Sequence, residues 1–251
     1  MREQGVDIVG IIPARAASSR FPGKPLADIC GKPMVVRVYE RALACGLLKD
    51  VYVATDSELI RDAVQEHAAK VVMTSADHPS GTDRIAEAAA VLCLKDDDLV
   101  VNIQGDQPLF EPEMINEVVA PLLEDGSIPM STLIYQIVRE EEIHHPNAVK
   151  TVFDREGFAL YFSRSTIPYC RENGASCDFF KHHGVYAYRK DFLDRFLKMP
   201  VGYLEDKERL EQLRALENGF RIKVVVTRFD SIEVDTPEDL RRVNDIYLKM
   251  V

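Results

Sequence analysis

The sequence predicts an α/β protein built on a doubly wound, mostly parallel sheet, with an embedded β-rich subdomain. Three observations predict it. Short apolar runs recur through the first 125 residues and are continuous rather than alternating, as expected of parallel strands covered on both faces. Segments of helical spacing lie between them, several opened by a proline or serine suited to a cap or first turn. The unusual polar residues cluster where the apolar runs end, the edge of an open α/β sheet at which ligands bind.

Taken in order, strands are expected at 8–13, 51–55, 70–74 and 99–104, and helices at 33–45, 57–67, 81–92 and 112–123. Pro33, Ser57 and Pro112 mark helix starts. The middle reads differently. Residues 130–138, 148–154, 158–163 and 184–189 are β-rich with short links, and Asn173-Gly174-Ala175-Ser176 has the composition of a loop tip. A helix over 204–217 is stopped by Asn218-Gly219, a strand follows at 221–227, and a last helix runs to about residue 248. The spacing of Asp235, Pro237 and Glu238 suits a capping box with Asp235 as the cap. The expectation is a single domain over 1–251 with the β-rich subdomain at 129–190.

Bulk properties narrow the function classes. A formal net charge of -10 argues against nucleic acid as a partner. No apolar run approaches the roughly 20 residues of a membrane span, and residues 1–7 carry no signal-peptide pattern. Five cysteines without paired spacing read as reduced thiols in a cytoplasmic protein, with no zinc site.

Against that acidic background, three cations fall within ten residues: Arg15, Arg20 and Lys24. They sit in a loop of small residues after the first strand, beginning at Pro13 and Ala14. Small side chains let backbone N–H groups approach phosphate oxygens while the cations neutralise them, so the loop is a candidate polyphosphate receptor. It has neither of the two common glycine-rich phosphate spacings, and a solvated basic loop is the plainer alternative. Gln104-Gly105-Asp106-Gln107-Pro108 ends the fourth strand and puts a carboxylate beside a glycine, a suitable arrangement for a hard cation such as Mg²⁺. A self-capped turn at Asp106 is the alternative. Asp235 joins Asp106 as a metal ligand only if the two converge; otherwise it is a cap. Ser80-Gly81-Thr82 brings small residues to a helix start, with Arg84 directed back toward the same crevice. Arg164 could bind a carboxylate in two-pronged fashion. The run Lys181-His182-His183-Gly184-Val185-Tyr186 and the pair Glu211-Gln212 could contact an anionic polyol.

These motifs occur in one order: PARxxSxRxPGKPL, TDxExI, VVMTSxxHPSGTDR, VVNIQGD, ALYFSR, KHHGVYAYR, LEQLR and VDTPEDL. Together they span nearly the whole chain and resemble the 3-deoxy-manno-octulosonate (KDO) cytidylyltransferases, or CMP-KDO synthetases. The resemblance implies a Rossmann-like nucleotidyltransferase fold, a Mg²⁺ cofactor, a cytoplasmic homodimer, and conversion of CTP and KDO to CMP-KDO and pyrophosphate for lipopolysaccharide assembly. By matching positions it implies that Arg15, Lys24, Asp106 and Asp235 are catalytic, Asp106 and Asp235 as the Mg²⁺ ligands. Pro13, Ala14, Arg15, Arg20, Lys24, Ser80 and Arg84 would hold the nucleotide. Gln104, Arg164, His182, Tyr186, Glu211 and Gln212 would hold the eight-carbon keto-acid sugar. Gln107 and the segment Asp230-Ser231-Ile232-Glu233 depart from the common pattern toward the branch that activates 8-amino-3,8-dideoxy-KDO, and His183 departs without a matching role. The same reaction on the amino sugar is therefore the first alternative. A neuraminate or methylerythritol-phosphate cytidylyltransferase would change the sugar-side motifs, and a non-catalytic nucleotide-binding regulator would not need the two aspartates as a pair.

Overall fold

A computed structural model describes residues 5–15, 21–171 and 177–250. Arg20 and the expected loop tip at 173–176 lie outside the described residues. The chain divides into two compact units: residues 1–116, 189–191 and 231–251 form the first, and 117–188 and 192–230 the second.

The first unit begins with β1 (Ile8–Ala14), a ribbon of β2 (Asp28–Ile29) and β3 (Lys32–Pro33), and α1 (Met34–Leu43). Then follow β4 (Asp50–Thr55), α2 (Glu58–Gln65), β5 (Val71–Met73), α3 (Gly81–Val91) and β6 (Leu99–Asn102). Strands β6, β1, β4 and β5 are neighbours in that order and all parallel. In chain order of the strands, this is the nucleotide-binding arrangement whose switch point falls between the first strand and the last, β1 and β6. The strands are apolar throughout because both faces are covered: Ile11, Ile12, Val53, Leu99, Val100 and Val101 are buried. Ser57 caps α2 by accepting from the Ile60 amide, and Ser80 caps α3 by accepting from the Asp83 amide.

Helix α4 (Glu113–Glu124) runs from the first unit into the second. The second unit continues with β7 (Met130–Gln136), α5 (Glu140–His144), β8 (Lys150–Phe153), β9 (Ala159–Ser163) and β10 (Phe180–Arg189). It then adds α6 (Lys190–Lys198), α7 (Tyr203–Glu208), α8 (Leu213–Glu217) and β11 (Lys223–Thr227). Here β10 is antiparallel to β7 and β8, β8 is antiparallel to β9, and β11 is parallel to β7. Strand β10 starts at Phe180, ahead of the expected 184, so it takes in the two histidines.

The helix expected over 204–217 is two helices. Arg209 adopts a left-handed φ of 54° at the end of α7. Helix α8 starts only at Leu213, which leaves Glu211 and Gln212 ahead of it. The reason is a fold-back. Glu217 accepts from the amides of Leu204 (2.9 Å) and Glu205 (3.2 Å). One continuous helix, rising about 1.5 Å per residue, would hold those groups roughly 20 Å apart. The buried, two-pronged Glu205–Arg214 ion pair, with Arg214 Nε donating over 2.8 Å, locks the turn.

Helix α9 (Pro237–Met250) belongs to the first unit. Its cap is Thr236 rather than the expected Asp235. Thr236 Oγ1 accepts from the Asp239 amide, and Asp239 Oδ2 in turn accepts from the amides of Thr236 and Asp235. The capping box is thus shifted by one residue, and the Asp235 carboxylate is left for other work. Val234, Val243 and Tyr247 pack with Ile29 and Met34 in a small core that anchors this segment.

One chemical expectation is overturned. The cysteines are not all free thiols: Cys170 and Cys177 form a disulfide, while Cys30, Cys45 and Cys93 are free. The Cα atoms of Cys170 and Cys177 lie 6.4 Å apart, within bonding range, which their spacing in the sequence does not reveal. Among the described residues no helix is long and apolar enough to cross a membrane.

Candidate active site

The switch point of the first unit holds a cavity lined by Pro13, Ala14 and Arg15 at the end of β1, by Gln104, Gly105 and Asp106 after β6, and by Lys24 and Asp235. Close approach of the two strand ends depends on Gly105. A side chain there would put its Cβ 3.1 Å from the Pro13 carbonyl oxygen and 3.4 Å from Ile12. Gly23, in the left-handed region with φ 72°, turns the basic loop so that Lys24 opens a short 3₁₀ turn facing this cavity.

Lys24 is the centre of the cluster. Its ammonium donates to Asp106 Oδ2 over 2.7 Å and to Asp235 Oδ1 over 2.9 Å. Two carboxylates 129 positions apart therefore converge on one cation. Burial lowers the Lys24 pKa, but the charge and hydrogen bond of Asp106, and then those of Asp235, outweigh it and hold the pKa above the usual 10.5. The Asp235 loop is joined to the Asp106 loop by the Val234 amide, which donates to the Asp106 carbonyl over 2.9 Å. Gln107 Nε2 also donates to Glu233 Oε1 over 3.2 Å. Glu233 is solvent-exposed as a residue, yet its carboxyl lies beside the acidic pair. Local burial and then the charges of Asp106 and Asp235 push its pKa up to about 7, against the Gln107 bond and Lys24.

The donor set suits Mg²⁺. Asp106 and Asp235 are hard oxygen ligands that already share one cation, the Lys24 ammonium. Among the described residues no group of three or more His, Cys, Asp or Glu is arranged to hold a metal by itself. Mg²⁺ is commonly held by one or two carboxylates and completed by substrate phosphates and water, a donor set that Asp106 and Asp235 could begin.

Ser80 and Arg84 are not among the residues that line this cavity. Ser80 caps α3 and donates to Asp83 Oδ2 over 2.6 Å. Arg84 is 3% exposed, bonded to Thr74 and 3.3 Å from Asp56, so its guanidinium ties together the ends of β4 and β5.

The remaining candidates lie in the second unit. His182 sits on β10 with its Nε2 2.9 Å from Thr132 Oγ1, between the rings of Phe162 (5.3 Å) and Tyr186 (5.2 Å). Crowding of this ring, which is only partly exposed, pushes its pKa down to about 3, with His183 adding to the effect; His182 is a neutral imidazole. Tyr186 is buried and stacked on Tyr188, and burial first, then Tyr188 and Glu211, raises its pKa well above the usual value. Gln212 is buried, and its Nε2 has no hydrogen-bond partner among the described residues, a donor suited to a ligand oxygen. Glu211 Oε1 lies 3.7 Å from Arg214 Nη2.

Arg164 is more constrained than its motif suggests. It donates to the carbonyls of Glu208 (2.7 Å), Pro146 (3.1 Å) and Arg209 (3.4 Å). Three of its five N–H groups thus hold backbone. His183 faces the opposite side of β10 from His182. It lies 6.0 Å from the Tyr135 ring and 3.7 Å from Asp230, beside Lys181, which bonds Glu142 and Asp230. It belongs to a buried charge cluster rather than to the His182 face. Burial lowers its pKa to about 4, with Asp230 opposing.

Known proteins resemble this arrangement. A family model described as cytidylyltransferase matches residues 9–224. A "3-deoxy-manno-octulosonate cytidylyltransferase" of Syntrophus aciditrophicus is 62% identical over 241 residues, covering 96% of this chain and 97% of the relative. An "8-amino-3,8-dideoxy-manno-octulosonate cytidylyltransferase" of Shewanella halifaxensis is 56% identical over 238 residues, covering 94% and 96%. The solved structure of a CMP:2-keto-3-deoxy-manno-octonic acid synthetase complexed with CTP superposes with a TM-score of 0.92. It shares 40% identity and covers 98% of this chain and 100% of that one.

Proposed function

The chain belongs to the cytidylyltransferase family, and we propose that it transfers CMP from CTP to KDO, releasing pyrophosphate, in lipopolysaccharide assembly. The observation that carries this reading is the convergence of Asp106, Asp235 and Lys24 at the switch point, beside Arg15. A regulator that only bound nucleotide would have no need of two carboxylates around one cation.

The anomeric hydroxyl of the sugar attacks the α-phosphorus in line with the departing pyrophosphate. The reaction is chiefly one of positioning and charge neutralisation, and no activated serine or cysteine is needed. Asp106 and Asp235 are the residues that would hold Mg²⁺. The ion, when bound, neutralises phosphate charge and lowers the pKa of the attacking hydroxyl. Lys24 and Arg15, both lining the cavity, would face the triphosphate and steady the leaving pyrophosphate. In the second unit the neutral His182, Tyr186, Glu211 and Gln212 would supply short polar groups for the sugar's hydroxyls; Gln104 is assigned to the sugar by the family resemblance alone. Arg164, with two N–H groups beyond its three backbone bonds, faces the carboxylate. We place the enzyme in the cytoplasm as a homodimer, as the family resemblance implies.

A second reading keeps the reaction and changes the sugar to 8-amino-3,8-dideoxy-KDO. It is favoured by the relative of that name at 56% identity. Glu211 suits either substrate, since its carboxylate can accept from a hydroxyl or from an ammonium. Pyrophosphate release with CTP, comparing KDO, the amino sugar and neuraminate, tests both. A larger kcat/KM for KDO supports the first reading, the reverse supports the second, and turnover with neuraminate alone overturns both.

A further inference from the structure

We propose that the Gln107–Glu233 hydrogen bond is a positioning clamp that sets how Asp106 and Asp235 present themselves to a divalent cation. This deepens the proposed function and rests on it. Asp106 and Asp235 sit on loops that are remote in sequence, so something must fix their spacing. Two of the bonds between the loops lie next to the carboxylates. One is the backbone bond from Val234 to Asp106, which fixes the chains but not the side chains. The other joins Gln107, the neighbour of Asp106, to Glu233, two residues before Asp235.

The surroundings make this second bond matter. Gln107 is 1% exposed, so water cannot replace its partner. Among the described residues the Gln107 side chain makes one hydrogen bond, from Nε2 to Glu233, and its Oε1 has no partner. Its backbone is pinned at both sides, by its own amide to Gln104 and by the Phe110 amide to its carbonyl. The backbone is thus held in place and burial confines the side chain that it carries. Without the bond from Gln107 the Glu233 loop loses its side-chain tether to the Asp106 loop, and Asp235, two residues on, is free to move with it. Gln107 and Glu233 touch neither metal nor substrate in this scheme; they act through the two aspartates.

The test is Mn²⁺ binding followed by electron paramagnetic resonance, with CTP present, on the full-length protein. Glu233→Ala and Gln107→Met should each weaken Mn²⁺ binding by about tenfold, the size expected for one hydrogen bond to a charged group. The double variant should be no weaker than either single one, since all three lack the same bond. Glu233→Gln keeps an acceptor for Gln107 and removes the charge, and should stay within about threefold of the parent. In turnover, KM for Mg²⁺ should rise more than kcat falls. Parent-like Mn²⁺ affinity in both single variants overturns the clamp. Additive losses in the double variant overturn it too, as does Glu233→Gln binding as weakly as Glu233→Ala, which would make the charge and not the bond responsible. A parent protein inactive with CTP and every sugar tried would instead sink the proposed function, leaving the Mn²⁺ result to stand on its own.

Discussion

Replacing Lys24 by methionine removes a charge at nearly constant length, and its effect can be worked out in advance. The ammonium donates to Asp106 and Asp235 over 2.7 and 2.9 Å, and the three side chains are 14%, 28% and 29% exposed. A hydrogen bond to a charged partner contributes about 1.5–3 kcal/mol, and this partial exposure places each near the lower end. Without the ammonium the two carboxylates repel one another, by about 3 kcal/mol at 5 Å and an effective dielectric constant of 20, though water entering the gap and a turn of one side chain relieve most of that. The sum is a loss of about 3 kcal/mol at pH 7, or a fall in Tm of about 6–12 °C for a chain of this size. Because the Lys24 pKa is raised in the folded protein, its contribution is complete below the ordinary 10.5 and fades as pH rises through the higher value; the gap between parent and variant should close there. Mg²⁺ should also raise the Tm of Lys24→Met more than that of the parent, where ammonium and metal compete for the same carboxylates. Scanning calorimetry with and without Mg²⁺ at pH 7 and above 10.5 reads all three effects. Equal Tm values with equal response to Mg²⁺ would refute the convergence of Asp106 and Asp235 on a common cation.

Three other outcomes are expected. Asp235→Asn should lower Tm by only a few degrees, because its amide oxygen can still accept from Lys24 and Thr236 and Asp239 cap the last helix, while turnover at saturating Mg²⁺ falls about a hundredfold or more; near-normal turnover would remove Asp235 from the metal site. Arg214→Ala strands the buried Glu205 carboxylate and should cost about 3–5 kcal/mol in urea unfolding; a loss below about 1 kcal/mol would mean that the pair is not buried. His182, with its pKa lowered to about 3 from an ordinary 6.5, contributes stability that is present above 6.5 and lost as pH falls toward 3. Urea midpoints of His182→Asn should therefore fall less steeply than the parent's between pH 7 and pH 4, and parallel slopes would show that the ring is not neutral when folded.

Local pattern and chemistry carried the sequence a long way. The continuous apolar runs identified β1, β4, β5 and β6, since a strand buried on both faces has no polar side to show. The small-residue basic loop and the QGD turn were legible because both interrupt an otherwise ordinary acidic, amphipathic chain, and the ordered set of motifs carried the family. What tertiary structure decided is what depends on residues far apart. Asp235 has the local signature of a cap, and only the packing of Val234, Val243 and Tyr247 against Ile29 and Met34 brings it to Lys24 while Thr236 takes over the cap. Leu210, Leu213 and Leu216 have helical spacing, yet the bonds from the Leu204 amide to Glu217 and from Arg214 to Glu205 break that helix in two. Cys170 and Cys177 show no framework in sequence, yet they are disulfide-bonded. In each case the short-range preference is worth about 1 kcal/mol or less per residue, and a few buried long-range contacts outweigh it.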